Sequence, residues 1–142
     1  MKKIAKIFSL ILAITVFFSC VTEPQPIFAK AKKVDWAGVY TSGSDEDAGI
    51  LKISKVKDGK FTFSIEVDNG MNTGELKKAV AKISSDKKTA TFDNKKGFKI
   101  KFVWKNYEIK ITESSKNGIN PYCGMNVSFE GTYWNSDKLG AS

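Results

Sequence analysis

The residues able to do chemistry in this chain are few. It contains no histidine, so the commonest general base and the commonest transition-metal ligand are both missing. A Ser-His-Asp or Cys-His arrangement is therefore excluded, and a cysteine nucleophile would lack its usual activator. The two cysteines are Cys20 and Cys123. One cysteine with carboxylates makes a poor zinc site, and no Gly-rich phosphate loop is present. No metal and no cofactor is expected. Paired carboxylates such as Asp68 and Glu75 would have to share a cleft to do glycosidic chemistry. The acidic residues fall instead on outward strand positions and turns, so the expectation is a protein that is not an enzyme.

Two loops hold the remaining candidates. "SGSDEDAG", residues 42–49, gathers Asp45, Glu46 and Asp47 between two strands. It lacks the spacing and the distal Glu of an EF-hand loop, so it reads as a solvated loop or as a contact for a basic partner. "SSKNGINPYCGMN", residues 114–126, is the longest loop and carries Tyr122, Cys123 and Met125. Long loops in compact domains are often functional. Two readings stay open: a binding loop, or a plug in which Tyr122 and Met125 fold inward over a buried Cys123.

The N-terminus has a different character. Lys2, Lys3 and Lys6 precede an uncharged apolar run, Ile7 to Phe18. The run is shorter than the roughly 20 residues of a membrane-spanning helix and fits an export signal over residues 1–19. "FFSC", Phe17 to Cys20, resembles a bacterial lipobox, in which a small residue precedes a cysteine that becomes acylated; Phe18 stands where a small residue is commoner. The resemblance implies a lipid on Cys20, a membrane partner through that lipid, and a tether over residues 20–35 stiffened by Pro24 and Pro26. The competing site is Ala29-Lys30-Ala31, an A-x-A pattern for cleavage after residue 29 or 31, which would give a soluble periplasmic or secreted protein. The lipoprotein reading is preferred, because a cysteine closing an apolar signal core is a rare coincidence.

The formal net charge of the whole chain is +8. Removing Lys2, Lys3 and Lys6 from the 23 basic residues leaves 20 against 15 acidic, or +5 from Cys20 onward. Every basic residue is lysine. Without arginine the bidentate reading of phosphates and guanine edges is missing, so no specific nucleic-acid partner is expected. A mild attraction to anionic lipid, glycan or wall polymer remains.

From Trp36 onward the pattern has period two. Phe61, Phe63, Ile65 and Val67 alternate with Thr62, Ser64, Glu66 and Asp68; Phe98, Ile100, Phe102 and Trp104 alternate with lysines; Tyr107, Ile109 and Ile111 follow suit. Such alternation puts one face in a core and the other in water. Asp58-Gly59 and Lys105-Asn106 read as tight turns, and "DNGMNTG", residues 68–74, as a longer one. The expected strands are Gly38–Thr41, Gly49–Val56, Lys60–Asn69, Glu75–Ile83, Thr89–Phe92, Lys99–Trp104, Tyr107–Thr112 and Val127–Trp134. Within Glu75–Ile83, Leu76 and Val80 fit only with a bulge. Short connections imply antiparallel neighbours, and closure removes the open edges. The expectation is an all-β, eight-stranded antiparallel meander barrel over residues 36–136, with a tail at 137–142.

The phrases "WAGVY" and "FEGTYW" carry the closure. Trp36, Gly38 and Tyr40 share a face of the first strand, and Phe129, Gly131 and Tyr133 a face of the last. Paired side by side, the glycines would admit a tight bend or a neighbouring ring over the missing side chain. This layout resembles the small secreted bacterial barrels of lipocalin-like shape, among them the periplasmic and membrane-bound lysozyme inhibitors. The resemblance covers Trp36 to Trp134 and rests on layout and on phrases such as "CGMNVSFEGTYW". It implies an envelope binding or inhibitory role through loops at one barrel end. The inhibitors' Ser- and Lys-bearing loop and their disulfide have no counterpart here, so no residue role carries over. The partner expected is an envelope protein or glycan, with Asp45, Glu46, Asp47, Tyr122, Cys123 and Met125 as the contact residues. The alternatives are a carrier of a small apolar ligand, with Phe61, Phe63, Phe102 and Trp104 around an open cavity, and a purely structural lipoprotein.

Overall fold

The structure is a computed structural model, and it describes residues 33–43 and 48–139. The chain divides into two compact units, Met1–Ala31 and Lys32–Ser142. All described residues belong to the second. The export signal, Cys20, most of the tether and the Asp45–Asp47 cluster lie outside the described residues.

Lys32–Ser142 contains a closed barrel of eight antiparallel strands in meander order. They are β1 (Gly38–Gly43), β2 (Ala48–Ile53), β3 (Lys60–Asp68), β4 (Thr73–Ile83), β5 (Thr89–Asp93), β6 (Phe98–Lys105), β7 (Glu108–Ser115) and β8 (Gly131–Trp134), followed by a single helical turn, α1 (Ser136–Leu139). The first and last strands pair, Thr41 opposite Trp134, as the sequence pattern requires. Inward positions are apolar along the strands, except at the mouth end of β7. The interior is filled by their side chains: Tyr40, Leu51, Ile65, Ile100, Phe102, Ile109 and Phe129 are fully buried. Phe61, Phe63 and Phe102 pack edge to face, with centroids 4.9–6.3 Å apart. The rings proposed to surround a cavity therefore occupy the space themselves.

The meander gives the barrel two unlike ends. At the base lie residues 33–37, the turns after β2, β4 and β6, and α1. At the mouth lie the end of β1 and the start of β2, the turns after β3 and β5, and the long β7–β8 loop. Two base turns are two-residue hairpins with left-handed φ at both central residues: Asp58 and Gly59 at 51° and 69°, Asn106 and Tyr107 at 51° and 66°. The second turn thus falls one residue later than Lys105-Asn106, and Tyr107 belongs to the turn rather than to β7. In β4 the register shifts opposite Phe63 and Ile65, and Lys78 takes φ 51°. This bulge turns Leu76, Ala79 and Ala81 inward and leaves Val80 exposed.

The twin phrases close opposite ends. The Tyr40 hydroxyl donates to the Trp36 carbonyl at 3.1 Å, and the Tyr133 hydroxyl to the Phe129 carbonyl at 3.0 Å. Gly38 and Gly131 take φ of 148° and 149°, which L side chains rarely adopt. In each phrase the tyrosine ring lies near its own glycine: Cε2 is 3.6 Å from where a Cβ on Gly38 would stand, and 4.0 Å for Gly131. Because β1 and β8 run antiparallel, the glycines are not side by side. One phrase caps the base with Trp36, and the other caps the mouth with Phe129. The kink at Gly131 also ends the pairing of β8, so Val127–Glu130 is loop rather than strand.

The base is fixed from the C-terminal side. Asn135 is buried, and its Oδ1 accepts from the Lys138 amide as the cap of α1. The Lys138 ammonium donates to Asp35 Oδ2 at 2.7 Å and to the Ala37 carbonyl at 2.6 Å. Val34 packs against the core, so the barrel's packing starts before Trp36, and Lys138 takes part in it.

Candidate functional site

Among the described residues, the mouth gathers most of those singled out in the sequence. β1 ends and β2 begins there, while Asp45, Glu46 and Asp47 between them lie outside the described residues. The β7–β8 loop covers the same end. Its candidates divide between the two readings: Tyr122 and Cys123 turn inward against the core, while Met125 is 77% exposed. Met71 in the β3–β4 turn is 89% exposed and Ile119 is 70% exposed. These are the three most exposed large apolar side chains among the described residues, and all stand on mouth loops. The loops are tied together: Asn69 Nδ2 donates to the Asn126 carbonyl at 3.3 Å, and Asn69 Oδ1 accepts from the Met71 and Asn72 amides.

Two seams in the wall define the mouth. At the first, β4 and β5 pair only near the base, at Lys82–Thr91 and Ile83–Ala90. Toward the mouth the β7–β8 loop takes the place of β5. Cys123 bridges Gly74, the Glu75 amide donates to the Tyr122 carbonyl, and the Gly124 amide to the Thr73 carbonyl, both at 2.9 Å. The Tyr122 ring meets Phe98 and Phe92 with centroids 5.4 and 6.4 Å away. Gly74 makes the fit possible, since a Cβ there would stand 2.3 Å from Cys123 Sγ.

Glu113 holds this plug, and the sequence reading passed over it. Its position continues the inward phase of Ile109 and Ile111. Oε1 accepts from the Phe129 amide at 2.5 Å and from Asn120 Nδ2 at 2.8 Å. Asn120 Nδ2 also reaches Cys123 Sγ at 3.1 Å, and its Oδ1 accepts from the Tyr122 amide. Burial raises the Glu113 carboxyl above the usual range, opposed chiefly by the Phe129 amide. Burial, with the Glu113 charge adding, pushes the Cys123 thiol up to about 12. A thiol so placed stays protonated at neutral pH and is a poor nucleophile.

At the second seam, β8 and β1 meet at Trp134–Thr41 and part toward the mouth. The wedge between them is an open groove of about 530 Å³. Ser42, Asp68, Asn126, Glu130, Thr132 and Trp134 are among its lining residues. Trp134 is 43% exposed, whereas Trp36 and Trp104 are buried. Several lining groups are oriented by backbone amides: Asp68 Oδ1 accepts from Gly70 at 2.7 Å, Glu130 Oε1 from Glu113 at 3.0 Å, and the Ser128 hydroxyl from Glu130 at 3.2 Å. Gly49 is buried beside it, and a Cβ there would stand 2.4 Å from Ser42 Oγ. Apart from Gly131 and Tyr133, this groove was not foreseen. Its signal in the sequence would have been the run of hydroxyl, amide and acidic residues on both sides of Gly131.

Asp68 and Glu75 do share a shallow depression with Glu66, of about 350 Å³. All three are exposed, and Glu75 is ion-paired with Lys77. A glycosidic acid works in desolvating surroundings, which these side chains lack. Among the described residues no three His, Cys, Asp or Glu side chains come together to hold a metal ion, and no helix is long and apolar enough to cross a membrane. The fold and site thus define a small closed barrel with a filled interior, a plugged seam and an open, polar one. No protein family, curated protein or solved structure shows a match to the chain.

Proposed function

We propose that this is an exported, non-enzymatic protein of the cell envelope, anchored through an acyl chain on Cys20, that binds an envelope protein or glycan through its mouth. The observation that carries the reading is the placement of Met71, Ile119 and Met125, exposed on loops that are hydrogen-bonded to one another. Exposed apolar side chains on positioned loops favour contact with a partner, and methionine adapts to varied surfaces. The base supports the same reading, since Lys33 lies there, opposite the mouth. A tether from Cys20 would join the barrel at its base.

The mass of the mature protein, extracted with detergent from its host, tests the anchor. A species beginning at Cys20 with added acyl mass is expected; a lipid-free species beginning at Lys30 or Lys32 overturns it. The mouth is tested by changing Met71 and Met125 together to Asp. Retention on isolated envelope fragments should then fall by about tenfold, as for loss of a central contact, with the fold unchanged by circular dichroism. Undiminished retention would move the binding surface elsewhere.

A further inference from the structure

We infer that the open wedge between β8 and β1 is a carbohydrate subsite, taking a neutral or amino-bearing sugar unit of a glycan chain. The inference rests on reading the mouth as the binding end and names the ligand of one part of it. Three features of the groove point to a sugar.

The first is its chemistry. A pyranose has a rim of hydroxyls and flat patches of C–H. Asp68 and Glu130 are acceptors with two oxygens each, and in both one oxygen accepts from a backbone amide, which fixes the position of the carboxylate. Asn126 brings an amide that both donates and accepts, and Ser42 and Thr132 bring hydroxyls. Trp134 supplies a flat apolar face with a polar N–H edge, suited to stacking against sugar C–H.

The second is what the groove leaves out. The chain has 23 basic residues, all lysine, yet among the described residues none of them lines the wedge. A phosphate or other polyanion would face Asp68 and Glu130 without a compensating cation. A hydroxyl donates to these carboxylates, and a sugar ammonium would be attracted to them.

The third is preorganisation. The floor is rigid: Tyr133 is buried with its hydroxyl held by the Phe129 carbonyl, and Gly49 packs against Ser42 and Tyr133. The ends of β1, β2 and β3 form one wall, and β8 with the hydrogen-bonded end of the β7–β8 loop forms the other. The gap is polar and open to solvent, and a sugar would replace water there with hydroxyls of like capacity.

The full chain, purified in mild detergent, should be titrated with the β-1,4-linked tetramer of N-acetylglucosamine and with its glucosamine counterpart, following tryptophan emission. Trp36 and Trp104 are buried and serve as a constant background, so a ligand-dependent shift reports Trp134. The expected result is saturable binding by at least one tetramer, in the range of about 0.1–1 mM. Trp134→Ala should weaken it more than about tenfold, and Asp68→Asn or Glu130→Gln by about three- to tenfold. Trp134 is half exposed, so its removal leaves the fold intact; Asp68→Asn gives an independent check with no loss of volume. The proposal is overturned by absence of saturation with both tetramers, or by affinity that is indifferent to Trp134 and Asp68. Binding of a deca-lysine peptide in place of either sugar would also overturn it, assigning the wedge to a basic protein. Failure here with Cys20 acylated removes the sugar alone, and an unacylated chain that still binds the tetramers removes the anchor alone.

Discussion

The two seams of the barrel are gaps of the same kind treated in opposite ways. Between β4 and β5 the strands part toward the mouth, and the space behind them is apolar, faced by Phe92 and Phe98. Between β8 and β1 they part as well, and the space is faced by hydroxyls, amides and carboxylates. An apolar gap open to water exposes hydrocarbon and forfeits packing contacts. The chain fills it with Tyr122 and Cys123. A polar gap costs little to leave wet, and it remains a groove. The β7–β8 loop connects the two outcomes, because it plugs the first seam with residues 122–124 and borders the second with residues 126–130. The plug stabilises the barrel, and the groove leaves room for a ligand.

The sharpest way to break this contrast is to remove one aromatic ring from each seam. Tyr122→Ala should lower the unfolding free energy by about 2–3 kcal/mol, toward the low end for a ring lost from a core because Tyr122 is half-buried. Trp134→Ala should change it by less than about 0.5 kcal/mol, as at an exposed position. Urea denaturation followed by circular dichroism reads both. Equal costs would mean that the wedge is as structural as the plug. A somewhat smaller effect is expected at Gly74. Its replacement by Ala puts a methyl 2.3 Å from Cys123 Sγ and 2.9 Å from Val67 Cγ2, an overpacking that costs about 1–3 kcal/mol. Combining it with Cys123→Ala should recover part of that loss, with a coupling of about 0.5 kcal/mol or more. Strict additivity would show that the loop does not sit in the seam in solution.

The alternation of Phe61 to Val67 and of Phe98 to Trp104 made the barrel legible, because period two reports directly which face is buried. The twin phrases announced closure for the same reason. The sequence pattern did not show that the glycines sit at opposite ends, since that depends on strand direction around the barrel. Val127 and Phe129 kept the period-two rhythm and so resembled strand, although the kink at Gly131 ends the pairing of β8 with β7 before it reaches them. Tyr107 misled in the same way, being an aromatic in a left-handed turn position that usually takes Gly or Asn. The seams were hidden altogether. How far two strands pair is settled by the bulge at Lys78, by the shortness of β5 and β8, and by the docking of a loop from some 50 residues away in the sequence. Met71 and Ile119 were visible only as apolar letters in polar turns.

The smallest expected effect tests the residue that serves both seams. Glu113 fastens the plug through Asn120 and the groove's border through the Phe129 amide. Burial is the leading cause of its raised pKa, with the charge of Glu130 adding to it and the Phe129 and Asn120 hydrogen bonds opposing it. A carboxyl whose folded pKa lies above its unfolded value contributes stability that is fully present below the unfolded value, near 4.5, and is lost as pH rises through the folded value. Asp35 at the base has the opposite sign. Its hydrogen bond to Lys138 lowers its pKa, so its contribution is lost as pH falls below 3.8. In Glu113→Gln the residue no longer titrates, while an oxygen acceptor for the Phe129 amide is kept. The melting temperature of the unaltered chain minus that of Glu113→Gln should therefore be larger at pH 4.5 than at pH 8. For Asp35→Asn the corresponding difference should shrink as the pH falls below 4. A Glu113 difference that is flat with pH would show that the carboxylate is solvated in the folded protein, and the latch between plug and groove would then have to be assigned to Asn120 alone.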